Sequence, residues 1–235
     1  MTGSVFLVPN LLGAVEPAAV LPAHTLHVAQ ALTHWVVETP KAARAFLKTI
    51  GVAAPIAALD MKPLPEAPSP AELDALLAPA VAGNDLGVLS DAGCPGVADP
   101  GAVLVAAAHA RGLRVVPLVG PSAVLLAVMA AGMNGQRFAF HGYLPVKPDA
   151  RARGLERLEH ASRSEACTQV FIETPYRNPA MIAACAATLQ PATLLCVAAD
   201  LTLATETIER RTAAQWRRED ATRFDRRPAL FLLQA

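Results

Sequence analysis

Aromatic residues are scarce in this chain: two Trp, two Tyr and seven Phe make up 5% of 235 residues. Charge is thin as well, at 17% against about 25% in typical globular domains. The 20 Lys and Arg balance 20 Asp and Glu. The broad basic surface of a general nucleic-acid binder is therefore absent, and any RNA contact has to be local. The balance shifts only slightly along the chain, with 7 basic against 9 acidic residues before residue 147 and 13 against 11 from Lys147 onward. Neither Gly-x-x-x-x-Gly-Lys-Ser/Thr nor Gly-x-Gly-x-x-Gly occurs, which excludes the usual phosphate-cradling loops. Cys94, Cys167, Cys185 and Cys196 form no Cys-x-x-Cys pair and have no His at ligand spacing, and His24 and His27 lack further ligands. No metal site is expected. Cys185 and Cys196 lie in apolar runs and read as core thiols.

Long uninterrupted apolar helices are also missing. Val115 to Met133 runs 19 residues without a charge, close to a membrane span, but Pro117, Gly120 and Pro121 break it. It reads instead as a strand over 113–119, a Gly-Pro-Ser turn, and a buried helix over 122–131 closed by Gly132. No membrane partner is expected. The opening MTGSVFLVPN has no basic segment and Pro9 ends its apolar run, so a cytoplasmic location is expected.

What is present is apolar sequence in short punctuated runs, 53% of the chain. Strands are expected at Val5–Val8, Trp35–Val37 and Leu86–Leu89. A helix is expected over 41–50, with Gly51 as its cap. Residues 60–70 are proline-rich and read as an extended loop. Ser69-Pro70-Ala71-Glu72 then combines a capping box with Pro at the first helical position, opening a helix that ends near Gly83. A further helix spans 102–111, capped by Gly112. This β–α alternation predicts a mostly parallel sheet covered by helices. Beyond the Gly120-Pro121 turn the pattern changes. Strands at 138–144, 169–173, 193–199, 206–210 and 229–233, with helices at 151–162, 179–189 and 212–219, predict a mixed α/β unit. The expected division is 1–119 and 120–235, and the apolar content suits self-association.

The most informative stretch is GVLSDAGCPGVADPG, residues 87–101. A buried strand stops at Ser90-Asp91-Ala92-Gly93, and a helix follows after two Pro and three Gly. Strand, tight polar loop and helix place a ligand at the carboxyl end of a sheet. Small residues let it lie against the backbone. Without phosphate-binding features, an adenosine-type ligand suits this loop better than a nucleotide.

Four motifs, SDAGCPGVADPG, PLVGPSA, FAFHGYLP and VFIETPYRNP, occur in this order between Gly87 and Pro179. Together they resemble the tetrapyrrole (corrin/porphyrin) methylase superfamily, in the branch of the small-subunit ribosomal RNA 2′-O-ribose methyltransferases. The resemblance implies a two-domain α/β fold and a homodimer, with S-adenosyl-L-methionine bent into the cleft between domains. By motif, the donor contacts it implies are Ser90, Asp91, Ala92, Gly93 and Val97, then Ser122 and Ala123, Ile172 and Glu173, Ala199 and Asp200, and Pro228 and Ala229. The substrate side it implies is lined by Glu38, His141, Tyr143, Tyr176 and Arg177. Three elements depart from the branch: Glu38-Thr39-Pro40-Lys41, Leu59-Asp60-Met61-Lys62 and Arg227-Pro228-Ala229. All three lie on the substrate side. The implied function is transfer of a methyl group to an RNA ribose. The alternatives are a same-fold enzyme acting on a small molecule or protein, and a donor-binding protein without catalysis. The sulfonium donor is already activated, so no general base is assigned.

Individual side chains carry competing readings. Asp91 is a donor contact or a turn-former. Asp99, before Pro100, reads first as a helix N-cap and second as a direct ligand contact. Glu173 touches a ligand or pairs with Arg177 in a turn. Tyr176 and Arg177 stack a base and bond a phosphate, or form a surface pair. His141, in an apolar strand, reads first as a hydrogen-bonded core or interface histidine and second as a base. Arg151, Arg153, Arg157 and Arg163 read first as a solvated helix face and second as a nucleic-acid contact.

Overall fold

The computed structural model describes residues 2–235, in two compact units, one ending at Ser122 and the other starting at Ala123. In chain order the first contains β1 (Ser4–Val8), α1 (Pro17–Val20), α2 (Ala23–Ala31), β2 (His34–Val37), α3 (Pro40–Ile50), β3 (Asp60–Pro63), α4 (Pro70–Val81), β4 (Leu86–Leu89), α5 (Ala102–Ala110) and β5 (Arg114–Pro117). Its five strands are all parallel, in the order β3-β2-β4-β1-β5.

The central strands are apolar on both sides because both faces of the sheet are covered. Trp35, Val37 and Leu89 pack on one face with Phe46 and Leu47 of α3. Val36, Leu86 and Val88 pack on the other with Leu73, Leu76 and Leu77 of α4 and Leu104 of α5. Gly87 is the register partner of Trp35, and the buried indole lies across it. A Cβ at Gly87 would stand 2.5 Å from two ring carbons of Trp35.

Local signals set the element ends. Pro40 opens α3, and Gly51, at φ 71°, accepts the left-handed turn that closes it. Ser69 and Glu72 form the reciprocal capping box that opens α4. Two expectations are corrected here. The proline-rich stretch starts with a strand, since Asp60–Pro63 pairs with β2 at the sheet edge. Pro63 sits at the end of this edge strand, where a missing N–H is tolerated. The strand expected over 113–119 is the shorter β5.

The second unit contains α6 (Ala123–Ala131), β6 (Phe138–Tyr143), α7 (Pro148–Glu165), β7 (Thr168–Ile172), α8 (Asn178–Thr188), β8 (Leu194–Ala199), β9 (Thr207–Thr212), α9 (Ala213–Trp216) and β10 (Ala229–Gln234). Its sheet is mixed, in the order β6-β7-β10-β8-β9, with β6 and β7 parallel and every other pair antiparallel. Phe171 and Phe231 are register partners whose rings stack 5.3 Å apart. Around them Leu155, Met181, Ile182, Val197 and Trp216 complete one core. The helix expected over 212–219 is a single turn, Ala213–Trp216, opened by a Thr212–Gln215 capping box. Cys167, Cys185 and Cys196 are buried thiols, and burial pushes Cys196 up to about 11.

Candidate functional site

In the first unit, β1 and β4 are neighbours whose following segments leave toward opposite faces of the sheet. The loop after β1 leads to α1 and α2, while that after β4 leads to α5. Such a reversal leaves a crevice at the carboxyl ends of the two strands. The sequence-identified loop Ser90-Asp91-Ala92-Gly93 lies there. Asn10, two residues beyond β1, holds it: Asn10 Nδ2 donates to Ser90 O at 3.0 Å and Asp91 O at 2.9 Å. Asn10 N donates to Gly93 O at 2.8 Å, and Asn10 Oδ1 accepts from Leu11 N at 2.8 Å. Every polar group of this buried side chain is used. Asn10 was invisible in the sequence because its partners lie 80 residues away.

The neighbouring strand end supplies a second brace. Thr39 N and Oγ1 donate to Asp91 Oδ1 at 3.1 and 2.8 Å, and Asp91 N donates to Glu38 Oε2 at 2.9 Å. The Asp91 carboxylate therefore joins two strand ends, which is more than a local turn. Ser90 is buried and its hydroxyl donates to Ala92 O at 3.0 Å. Ala92 is exposed, as is Val97, and Gly93 has φ 65°. A ligand here meets backbone and a single methyl.

Asp99 is not the N-cap of α5. That place belongs to Gly101, whose φ of 138° is open to Gly alone, with no side-chain cap bond. Asp99 instead adds a third carboxyl to Glu38 and Asp91. Burial first, then the charges of Glu38 and Asp91, push it up to about 6, against an opposing contribution from the Ser90 hydroxyl. Cys94, in the same loop, donates to Pro121 O at 3.4 Å, and burial raises its thiol. Ser122 ends this unit and is half-buried.

In the second unit, the remaining donor candidates gather on one edge of the mixed sheet. Ile172 ends β7, Ala199 ends β8 and Ala229 begins β10. Leu230 pairs with Ile172 and Ala229 with Ala199. Asp200 N donates to Pro228 O at 2.9 Å, and Arg227 Nε to Asp200 Oδ2 at 2.8 Å. Asp200 takes a left-handed φ of 52° to make this turn. Ala123 stands apart, at the start of α6.

The β6–β7 end of the same edge holds four of the five acceptor candidates, since Tyr143 pairs with Ile172. Glu173 is nearly enclosed, and its Oε1 accepts from Thr174 N at 2.7 Å, Thr174 Oγ1 at 3.1 Å and Arg177 Nε at 3.2 Å. The turn pairing between Glu173 and Arg177 is thus real, and it leaves Glu173 Oε2 buried without a partner. His141 Nε2 lies 2.6 Å from Gln169 Oε1, while Gln169 Nε2 donates to Cys167 O at 3.0 Å. With its amide nitrogen committed to Cys167, Gln169 presents its oxygen, so His141 Nε2 is the donor of this bond. The histidine is hydrogen-bonded but exposed, which corrects the core half of its reading. Glu38, the fifth candidate, belongs to the first unit. Along α7, Arg153, Arg157 and Arg163 are exposed and Arg151 is half-buried.

Among the described residues, no helix is long and apolar enough to cross a membrane. Nor does any group of three or more His, Cys, Asp or Glu there have the arrangement of a metal site.

These two sheets, one parallel and one mixed, make up the tetrapyrrole methylase fold. The methyltransferase CobJ matches with a TM-score of 0.63 over 99% of this chain and 94% of its own, at 22% identity. Uroporphyrin-III-C-methyltransferase from Thermus thermophilus matches with a TM-score of 0.58 over the same shares, at 19% identity. No family model matches the chain. Sequence relatives narrow the class. The ribosomal RNA small subunit methyltransferase I of Escherichia coli O157:H7 is 30% identical over 224 residues, 94% of this chain and 74% of the relative. That of Xylella fastidiosa (strain Temecula1) is 36% identical over 153 residues, 65% of this chain. The chain belongs to the ribosomal RNA small subunit methyltransferase I family. The matched segment spans about half the length of the Xylella relative, 55%.

Proposed function

We infer that this protein transfers a methyl group from S-adenosyl-L-methionine to a ribose hydroxyl of small-subunit ribosomal RNA. The observation that carries the donor half is the composition of the β1/β4 crevice. It has small residues, exposed backbone and three carboxyl groups, Glu38, Asp91 and Asp99. Such a site repels phosphates and suits an adenosine-type ligand bearing positive charge. The donor has that character, with a sulfonium and an ammonium group and no phosphate. The raised Asp99 carboxyl fits as well, since unrelieved negative charge is what a cationic ligand offsets. Bound there, the donor would supply a methyl group on an already activated leaving group.

The chain's own residues bind and orient. Ser90, Asp91, Ala92, Gly93, Val97 and Ser122 hold the donor, with Asn10 and Thr39 fixing the loop's shape. Ala123, Ile172, Glu173, Ala199, Asp200, Pro228 and Ala229 are the second unit's donor contacts; the acceptor residues are His141, Tyr143, Tyr176 and Arg177 in the second unit and Glu38 in the first. Orientation and exclusion of water are the main contributions, because alignment alone accounts for a large part of such barriers. A cytoplasmic homodimer completes the reading. Self-association is supported by Leu125 and Met129, exposed one helical turn apart on α6.

The test is transfer of labelled methyl from S-adenosyl-L-methionine to small ribosomal subunits lacking the modification, with the site mapped by mass. Donor binding with no transfer to any RNA would favour the alternative of a donor-binding protein. Transfer to a small molecule or protein instead would move the acceptor. No binding heat for donor or its demethylated product, with the protein folded, would refute the reading.

A further inference from the structure

The chain has two tyrosines, and both are largely exposed, Tyr143 at 63% and Tyr176 at 64%. They issue from the same end of adjacent strands. Tyr143 closes β6 opposite Ile172, the last residue of parallel β7, and the turn Pro175–Arg177 follows β7 directly. In a protein so poor in aromatics, placing both tyrosines at one solvent-facing strand edge is costly unless something covers them.

A cation sits with them. The Arg177 guanidinium carbon lies 5.2 Å from the centre of the Tyr176 ring. Its Nε is pinned by Glu173 Oε1 at 3.2 Å and Thr174 Oγ1 at 2.9 Å. Both bonds use Nε, and among the described residues none takes Nη1 or Nη2. The Glu173 side chain is 2% exposed, so the anchor is fixed, and its Oε2 is one donor short. A rigid arginine with Nη1 and Nη2 uncommitted, beside two exposed aromatic rings, has the chemistry of single-stranded RNA recognition. Bases stack on the rings and a phosphate takes the fork. A duplex hides its base faces and gives such a surface nothing to stack on.

We propose that Tyr143, Tyr176 and Arg177 form a platform for unpaired RNA, stacking two bases and binding the phosphate of the strand that presents the methyl acceptor. Glu173 is the positioning residue that holds Arg177. This rests on the RNA methyltransferase reading and narrows its substrate to a looped or splayed segment.

The experiment measures affinity of the full chain for a labelled RNA oligonucleotide, single-stranded and as a duplex, across salt. Donor affinity and oligomeric state of each variant are read alongside. The single strand should bind at least about tenfold more tightly than the duplex. Tyr143→Leu and Tyr176→Leu should each weaken single-strand binding by roughly fivefold or more. Arg177→Ala should flatten the salt dependence by about one unit, and Arg177→Lys should recover the charge but only part of the affinity. Donor affinity should be unchanged in all of them. If the wild-type protein methylates ribosomal RNA while the Tyr variants bind RNA normally, the platform is refuted and the methyltransferase reading stands. If the Tyr variants instead turn a dimer into a monomer at unchanged RNA affinity, the patch is a subunit interface and the proposal falls. If the wild type neither binds nor methylates RNA, the functional reading falls and takes the platform with it.

Discussion

Replacing Asp99 by Asn should stabilise the first unit at neutral pH and weaken donor binding at the same time. The Asp99 carboxyl is raised from 3.8 to about 6, first by burial and then by Glu38 and Asp91. Converted directly, that shift corresponds to about 3 kcal/mol of disfavoured charge. Asp99 is only half-buried, so solvent screening reduces the penalty to about 1 kcal/mol. The folded chain holds this proton more tightly than the unfolded one. The full penalty therefore applies above about pH 6 and disappears as pH falls through 6 toward 3.8, where the folded carboxyl takes its proton first. Asn carries no charge at any pH. The variant should gain about 1 kcal/mol near pH 7.5 and nothing near pH 4. The two tryptophans make the assay specific, since Trp35 lies in the first unit and Trp216 in the second. In a Trp216→Phe background, urea unfolding followed by fluorescence reports the first unit alone. A calorimetric titration of the same variant should show donor affinity lower by roughly fivefold to tenfold, because one of three carboxylates facing a cation is gone. An equal gain at both pH values, or a loss at pH 7.5, would refute the electrostatic argument. Unchanged donor affinity would show that the donor's charge lies elsewhere.

The sequence carried the first sheet well because its central strands are buried on both faces. Val5–Val8, Trp35–Val37 and Leu86–Leu89 stand out as apolar runs between polar breaks, and Gly51 caps its helix by the ordinary left-handed device. Asp60–Pro63 escaped because an edge strand with one pairing neighbour needs no apolar alternation. Asp99 reads as a cap because Asp-Pro before a helix is a good local signal, whereas Gly101 takes the place through a φ no other residue adopts easily. At the site, the loop Ser90 to Gly93 was legible as composition, but its bracing by Asn10 and Thr39 was not. Those contacts depend on which strands are neighbours, and β1, β2 and β4 are far apart in sequence. The β6–β7 edge repeats the lesson. Tyr143 and Tyr176 are separated by all of α7, and only the parallel pairing of β6 with β7 makes them neighbours.

Substitutions at three further positions test contacts described above. Gly87→Ala puts a methyl group 2.5 Å from the buried Trp35 ring, so the first unit should lose about 2–3 kcal/mol, measured as a shift in its Trp35 unfolding midpoint. Arg227→Ala removes bonds to Asp200 Oδ2, Thr207 Oγ1 and Arg223 O, and should cost the second unit about 2 kcal/mol in urea unfolding followed by Trp216 fluorescence. Asn10 gives the sharpest test, because two substitutions are ordered against intuition. Asn10→Ala removes the donors to Ser90 O and Asp91 O and should cost about 2–3 kcal/mol, with weakened donor binding as the loop loosens. Asn10→Asp is nearly isosteric and keeps the acceptor for Leu11 N, yet it points a buried carboxylate oxygen at two carbonyl oxygens. Repulsion and desolvation then add to the lost bonds, so Asp should be worse than Ala in both stability and donor affinity. An Asp variant as stable as the Ala variant would mean that Asn10 acts by filling space and not by donating to the loop.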